Sequence, residues 1–175
     1  LRVFEFWSDG DWITADRLMG AVRTDLSNAL CEDGGDGPPT ADHIGPISLG
    51  FSHQPVFRLL SQAANSSKNN RMTLSDVEFL KSQEADGETV ASWYAQPLWD
   101  LRKNSVTSEE TALRLSKALR DNQRVAMQML CFMYQKRQIP FLIYLLNLGF
   151  AERTPTFINL RAEGFLTVYD KINYE

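Results

Sequence analysis

Side chains able to do chemistry gather in one part of the chain. His43 and His53, the two histidines of the sequence, follow Cys31 and the acids Glu32, Asp33, Asp36 and Asp42. An imidazole titrates near neutral pH and serves readily as a general base, while clustered carboxylates suit a hard cation. The spacing favours neither use. An EF-hand loop counted from Asp33 needs acids at positions three and twelve, where Gly35 and Ile44 stand. Cys31, His43 and His53 lack partners at the short intervals of a zinc site. Gly45-Pro46-Ile47-Ser48-Leu49-Gly50 has the outline of a nucleophile elbow around Ser48, but Pro46 occupies a position that needs glycine. Asp9, Asp11 and Asp16 read as turn and helix-start residues. Glycine-rich phosphate loops and kinase signatures do not occur. An enzyme built on His43, His53 and the four loop acids is therefore only the third reading, and no cofactor or metal is expected.

The other candidate is a row of cations: Arg114, Lys117, Arg120 and Arg124, followed by Lys136 and Arg137. Helical spacing brings Arg114, Lys117 and Arg124 to one side, with Asp121 among them. The charge is uneven along the chain. Residues 1–88 carry 7 Lys+Arg against 14 Asp+Glu, and residues 89–175 carry 11 against 8. Nucleic-acid binding favours denser positive charge than a pI of about 5.3 implies. A protein partner with an acidic surface is thus the first expectation for this face, and RNA or DNA the second.

These side chains need elements to carry them. Thr107 to Gly149 is the most regular stretch. Thr107-Ser108-Glu109-Glu110 fits a capping box. Leu115, Leu119, Asn122, Ala126, Met129 and Met133 then step by three and four, which predicts one helix of about 28 residues. Pro140 fits a helix start and Gly149 a helix stop, so Phe141–Leu148 reads as a short, wholly apolar, buried helix. Upstream, Leu1–Trp7 reads as a strand, and Thr14 caps a helix with Leu18, Met19, Val22, Leu26, Ala29 and Leu30 inward. Glu32–Gly50, rich in Gly, Pro and acids, reads as an exposed loop. Phe51–Ala64 reads as a short helix, Asn65–Arg71 as a polar connector, and Thr73 or Ser75 as the start of another helix with Val77 and Leu80 inward. Glu88–Lys103 reads as a helix kinked or ended by Pro97. Past Thr154-Pro155, a hairpin around Arg161–Gly164 is preferred over a last helix.

The fold expected is mainly α: one domain over residues 1–175, a compact bundle of five to seven helices around the long central helix and the short buried one, with minor β at the termini. Leu1 at the start suggests a domain cut from a longer chain. Two cysteines a hundred residues apart, Cys31 and Cys131, are no disulfide framework and favour an intracellular setting. No stretch reaches about 18 uninterrupted apolar residues, so no membrane span is expected. With no catalytic constellation in view, the function expected is a non-catalytic, regulatory protein–protein interaction domain, with RNA or DNA binding through the basic face as the alternative.

Overall fold

The computed structural model describes residues 30–52, 54 and 56–145, helical backbone at Arg17 and Ala21, and four strands within residues 155–174; between residues 30 and 145, side chains are described as far as residue 142. The expected strand Leu1–Trp7, most of the helix after Thr14, His53 and Gly149 lie outside the described residues.

The described part is mainly helical. Its elements run β1 (Thr40–His43), a 3-10 turn (Ile47–Leu49), β2 (Phe57–Leu60), α1 (Gln62–Lys68), α2 (Leu74–Ala85), α3 (Gln96–Arg102), α4 (Glu109–Gln135) and α5 (Ile139–Leu145). Four short strands follow: β3 (Pro155–Ile158), β4 (Arg161–Glu163), β5 (Leu166–Val168) and β6 (Lys171–Tyr174). β3 pairs with β6 and β4 with β5, all antiparallel, so one hairpin nests inside another. The region is β and not a last helix, but the expected hairpin of Phe157–Leu160 with Phe165–Tyr169 is corrected: Phe157 and Ile158 pair with Ile172 and Lys171, and Arg161–Glu163, expected as the turn, is a strand paired with Leu166–Val168.

α4 spans 27 residues, close to the length its periodicity predicts. Its capping box lies one residue later than expected: the Ser108 hydroxyl accepts from the Thr111 amide, and the Thr111 side chain reaches back. Ala112, Leu115, Ser116, Leu119, Ala126, Met127, Leu130 and Cys131 are buried. Met129, expected on the inner side, is half exposed, as are Val125 and Phe132. α5 follows as predicted, but Phe141 is exposed while Leu142 is fully buried, so this helix is not buried all round.

Four other expectations are corrected. Glu32–Gly50 is not simply an exposed loop: it contains β1 and the 3-10 turn, and Ile44 and Leu49 are in the core. Phe51–Ala64 is not one helix. Phe57–Leu60 forms β2, paired antiparallel with β1 in the register Thr40↔Leu60 to His43↔Phe57, and α1 begins only at Gln62. Asn65–Lys68, read as a connector, belongs to that helix. Glu88–Lys103 holds a helix only from Gln96, and Pro97 sits in its first turn instead of ending it, where its missing N–H costs nothing.

The core joins these pieces. Phe51 meets Trp99 edge to face at 5.2 Å, both fully buried, next to Leu49, Leu119 and Leu142. Gly45 lies two residues past the end of β1; a side chain there would meet the Phe51 Cβ at 2.8 Å. That close approach fixes how β1 enters the core.

Candidate active site

β1, β2 and α1 form one unit, a two-stranded hairpin with a short helix across it. Alternation along β1 sends Thr40 and Asp42 to one face and His43 to the other. α1 covers the Asp42 face. Asn65 donates from Nδ2 to the Thr40 hydroxyl at 3.0 Å, and the Lys68 ammonium pairs closely with Asp42 Oδ2. Ser61 caps α1 by accepting from the Ala64 amide at 3.2 Å.

Behind Lys68 is a buried charge cluster drawn from four elements. Asp76, fully buried in the first turn of α2, lies 2.9 Å from Lys68 Nζ and 3.0 Å from Arg58 Nε. Arg58 on β2 is the cross-strand partner of Asp42. Two carboxylates and two cations therefore balance inside the fold, with the Asp42 and Lys68 side chains only 11% and 9% exposed. Burial raises the Asp42 carboxyl above its ordinary range, and the neighbouring Lys68 offsets only part of that rise. Asp76 also completes the α2 capping box, accepting from the Thr73 amide at 2.9 Å while Thr73 accepts from the Asp76 amide.

On the other face, half-buried His43 packs edge to face with Phe57, ring centroids 4.8 Å apart. It lines a small cleft with Ser52, Gln54, Phe79 and Leu80. Two of the remaining loop acids, Glu32 and Asp33, do structural work, while Asp36 is exposed. Glu32 exchanges hydrogen bonds with Leu59, through its own amide at 2.7 Å and its carboxylate at 3.0 Å. Asp33 accepts from the Ser61 amide at 2.9 Å and the Ser61 hydroxyl at 2.6 Å, bonds that hold its carboxyl below the ordinary range. Of the four loop acids, Asp42 joins the buried charge cluster; His43 is next to it in the chain but faces the opposite side of β1, and His53 lies outside the described residues. Asn65, Lys68, Arg58 and Asp76 were missed. The signal that could have found them is the sharing of one side by Asn65 and Lys68, three apart on a helix.

The six basic residues divide. Arg114 and Arg124 are exposed and pair along α4 with Glu110 at 2.6 Å and Asp121 at 3.3 Å. Lys117 is exposed, and Lys136 stands over the Phe132 ring at 5.5 Å. Arg137 follows the end of α4 with φ +57°. Arg120 reaches the Asn70 carbonyl at 3.4 Å, just past α1. The basic side of α4 thus starts beside the hairpin-and-helix unit. Among the described residues no helix is long and apolar enough to cross a membrane.

The model of a type II restriction endonuclease family, RE_Alw26IDE, matches residues 1–175. No curated protein and no solved structure matches. The family match overturns the expectation of a non-enzymatic, regulatory or scaffolding interaction domain and of a protein as the main partner, and points instead to a nuclease with DNA as substrate. Matched along its whole length, the chain belongs to the RE_Alw26IDE family of type II restriction endonucleases.

Proposed function

We propose that the β1–β2–α1 unit is where this chain hydrolyses a DNA phosphodiester. The observation that carries this reading is the clamp of α1 over the Thr40 and Asp42 face of β1 through Asn65 and Lys68, with His43 next along the strand and facing the small cleft on its other side. His43 is the general base: it takes a proton from the attacking water, whose oxygen bonds to phosphorus as the ester P–O bond breaks. Lys68 sets the orientation and charge of Asp42 and contributes positive potential where the phosphorane gains negative charge.

Among the described residues no three His, Cys, Asp or Glu side chains form a ligand set. The Asp42 carboxylate and the Asn65 amide are hard oxygen donors, which suit a divalent cation of the magnesium kind, one that keeps most of its waters and takes one or two protein oxygens plus substrate phosphate. Asp42 and the Asn65 amide oxygen would hold it. When bound, such an ion supplies Lewis-acid stabilisation of the leaving oxygen.

Arg114, Lys117, Arg120 and Arg124 extend from this unit along α4 and are suited to flanking phosphates. Lys136 and Arg137 lie about 24 Å beyond Arg120 at the helical rise per residue. Phosphate contacts of this kind position a duplex without reading its sequence. DNA as substrate accords with an intracellular setting.

His43→Ala is expected to lower the DNA cleavage rate by about 10²–10⁴-fold with DNA affinity retained. A plasmid nicking assay beside a binding titration decides it. Unchanged turnover sinks the assignment.

A further inference from the structure

We infer that Asp76 is a positioning residue for this site, acting through Lys68 although it lies on α2, outside the catalytic unit. The inference rests on the reading of β1–β2–α1 as the active site.

Asp76 has two separable tasks. The first is local: Oδ2 accepts from the Thr73 amide and closes the capping box of α2. A helix cap needs only a neutral acceptor, so asparagine serves this task as well. The second task needs charge. Lys68 Nζ lies between two carboxylates, Asp42 on β1 and Asp76 on α2, while Arg58 Nε holds the other oxygen of Asp76. Asp76 is fully buried, so its carboxylate has no water to turn to, and its two cations are held in place in return. Lys68 is therefore anchored from behind and keeps a charge partner when Asp42 engages a cation or substrate. Without that anchor, the flexible lysine stem has only Asp42 to pair with, and the ammonium competes for the oxygens that the reaction uses.

The structure also contains a control. Thr73 is the other half of the same capping box, but its hydrogen bonds run to Asp76 and Ser75 and not to Lys68 or Arg58. Thr73→Ala therefore weakens α2 without disturbing the charge cluster.

The experiment compares the wild-type chain with Asp76→Asn, Thr73→Ala, Lys68→Met, the Lys68→Met/Asp76→Asn double variant and His43→Ala. It reads kcat and KM on DNA, DNA affinity without turnover, and the denaturant midpoint. Asp76→Asn is expected to lower kcat at least tenfold with KM and DNA affinity within about twofold, while Thr73→Ala lowers the midpoint and leaves kcat unchanged. Lys68→Met should remove the effect of Asp76→Asn on kcat, because the two act through one contact. Equal kcat in Asp76→Asn and wild type overturns the inference, as does a kcat that follows the midpoint in both α2 variants. Should Asp76→Asn alone not fold, the double variant, which removes both members of the pair, is compared with Lys68→Met. Equal kcat supports the inference, and a further fall overturns it. His43→Ala separates the two levels: full activity there defeats the active-site reading itself, whereas its loss beside an unaffected Asp76→Asn defeats only the role of Asp76.

Discussion

At the scale of single residues, Asp42 shows function set against stability. Its carboxylate is carried where burial disfavours charge, and Lys68 only partly offsets this. Asp42→Asn should therefore abolish cleavage while leaving the melting temperature at neutral pH unchanged or raised, since Lys68 retains Asp76. Parallel nicking assays and thermal melts test this, and a drop of several degrees would contradict it. The residue lesson extends to His43. Its imidazole was visible as a candidate base from its type alone, but the cleft it lines with Phe79 and Leu80 of α2 is visible only in the fold. In the linear sequence Asp42 was one acid of four. In the fold Glu32 and Asp33 are occupied with Leu59 and Ser61, which leaves Asp42 facing α1.

At the scale of elements, α4 and α2 were legible because the information that makes a helix is local: a cap, an apolar period and a stop within one stretch. Ser108→Ala should cost about 1 kcal/mol through loss of the cap, read as a lower denaturant midpoint with an unchanged slope. β1 and β2 were not legible. Val56, Leu59, Leu60 and Ala63 satisfy a helical period, and a strand's stability resides in its cross-strand partners, here 14 to 20 residues away. The junction of α2 and α3 carries a pH dependence. Burial pushes Glu84 up, but hydrogen bonds from Lys103 at 2.7 Å and Gln96 at 3.0 Å outweigh it and leave its carboxyl below the ordinary glutamate value. Burial likewise pushes Lys103 down, and Asp100 and Glu84 together reverse it, leaving its ammonium above the ordinary lysine value. The stability from Glu84 is thus present above its unfolded value and lost as pH falls through its lowered one. That from Lys103 is present below its unfolded value and lost as pH rises through its raised one. Glu84→Gln should flatten the acid side of a stability–pH curve, and an unaltered acid limb would remove this account.

At the scale of the whole molecule, an acidic chain that handles DNA must concentrate its positive charge, and α4 is where the described residues do so. Replacing Arg114, Lys117 and Arg124 together by Ala should reduce the log–log salt slope of DNA binding by about 0.9 for each phosphate no longer neutralised, with cleavage chemistry on saturating DNA preserved. Binding measured from low to moderate salt tests it, and an unchanged slope would take these residues off the DNA path. The sequence by itself determined the long helix, the helix begun by Thr73 and the separation of charge between the two halves, and put the long helix's cap one residue too early, because each is written in neighbouring residues. Only the tertiary structure decided that Asp42, Arg58, Lys68 and Asp76 are one cluster, and that His43 faces a cleft on the other side of β1. Four elements each contribute one charge to that cluster, and no local period or motif records a contact whose partners become neighbours only when the hairpin and two helices pack.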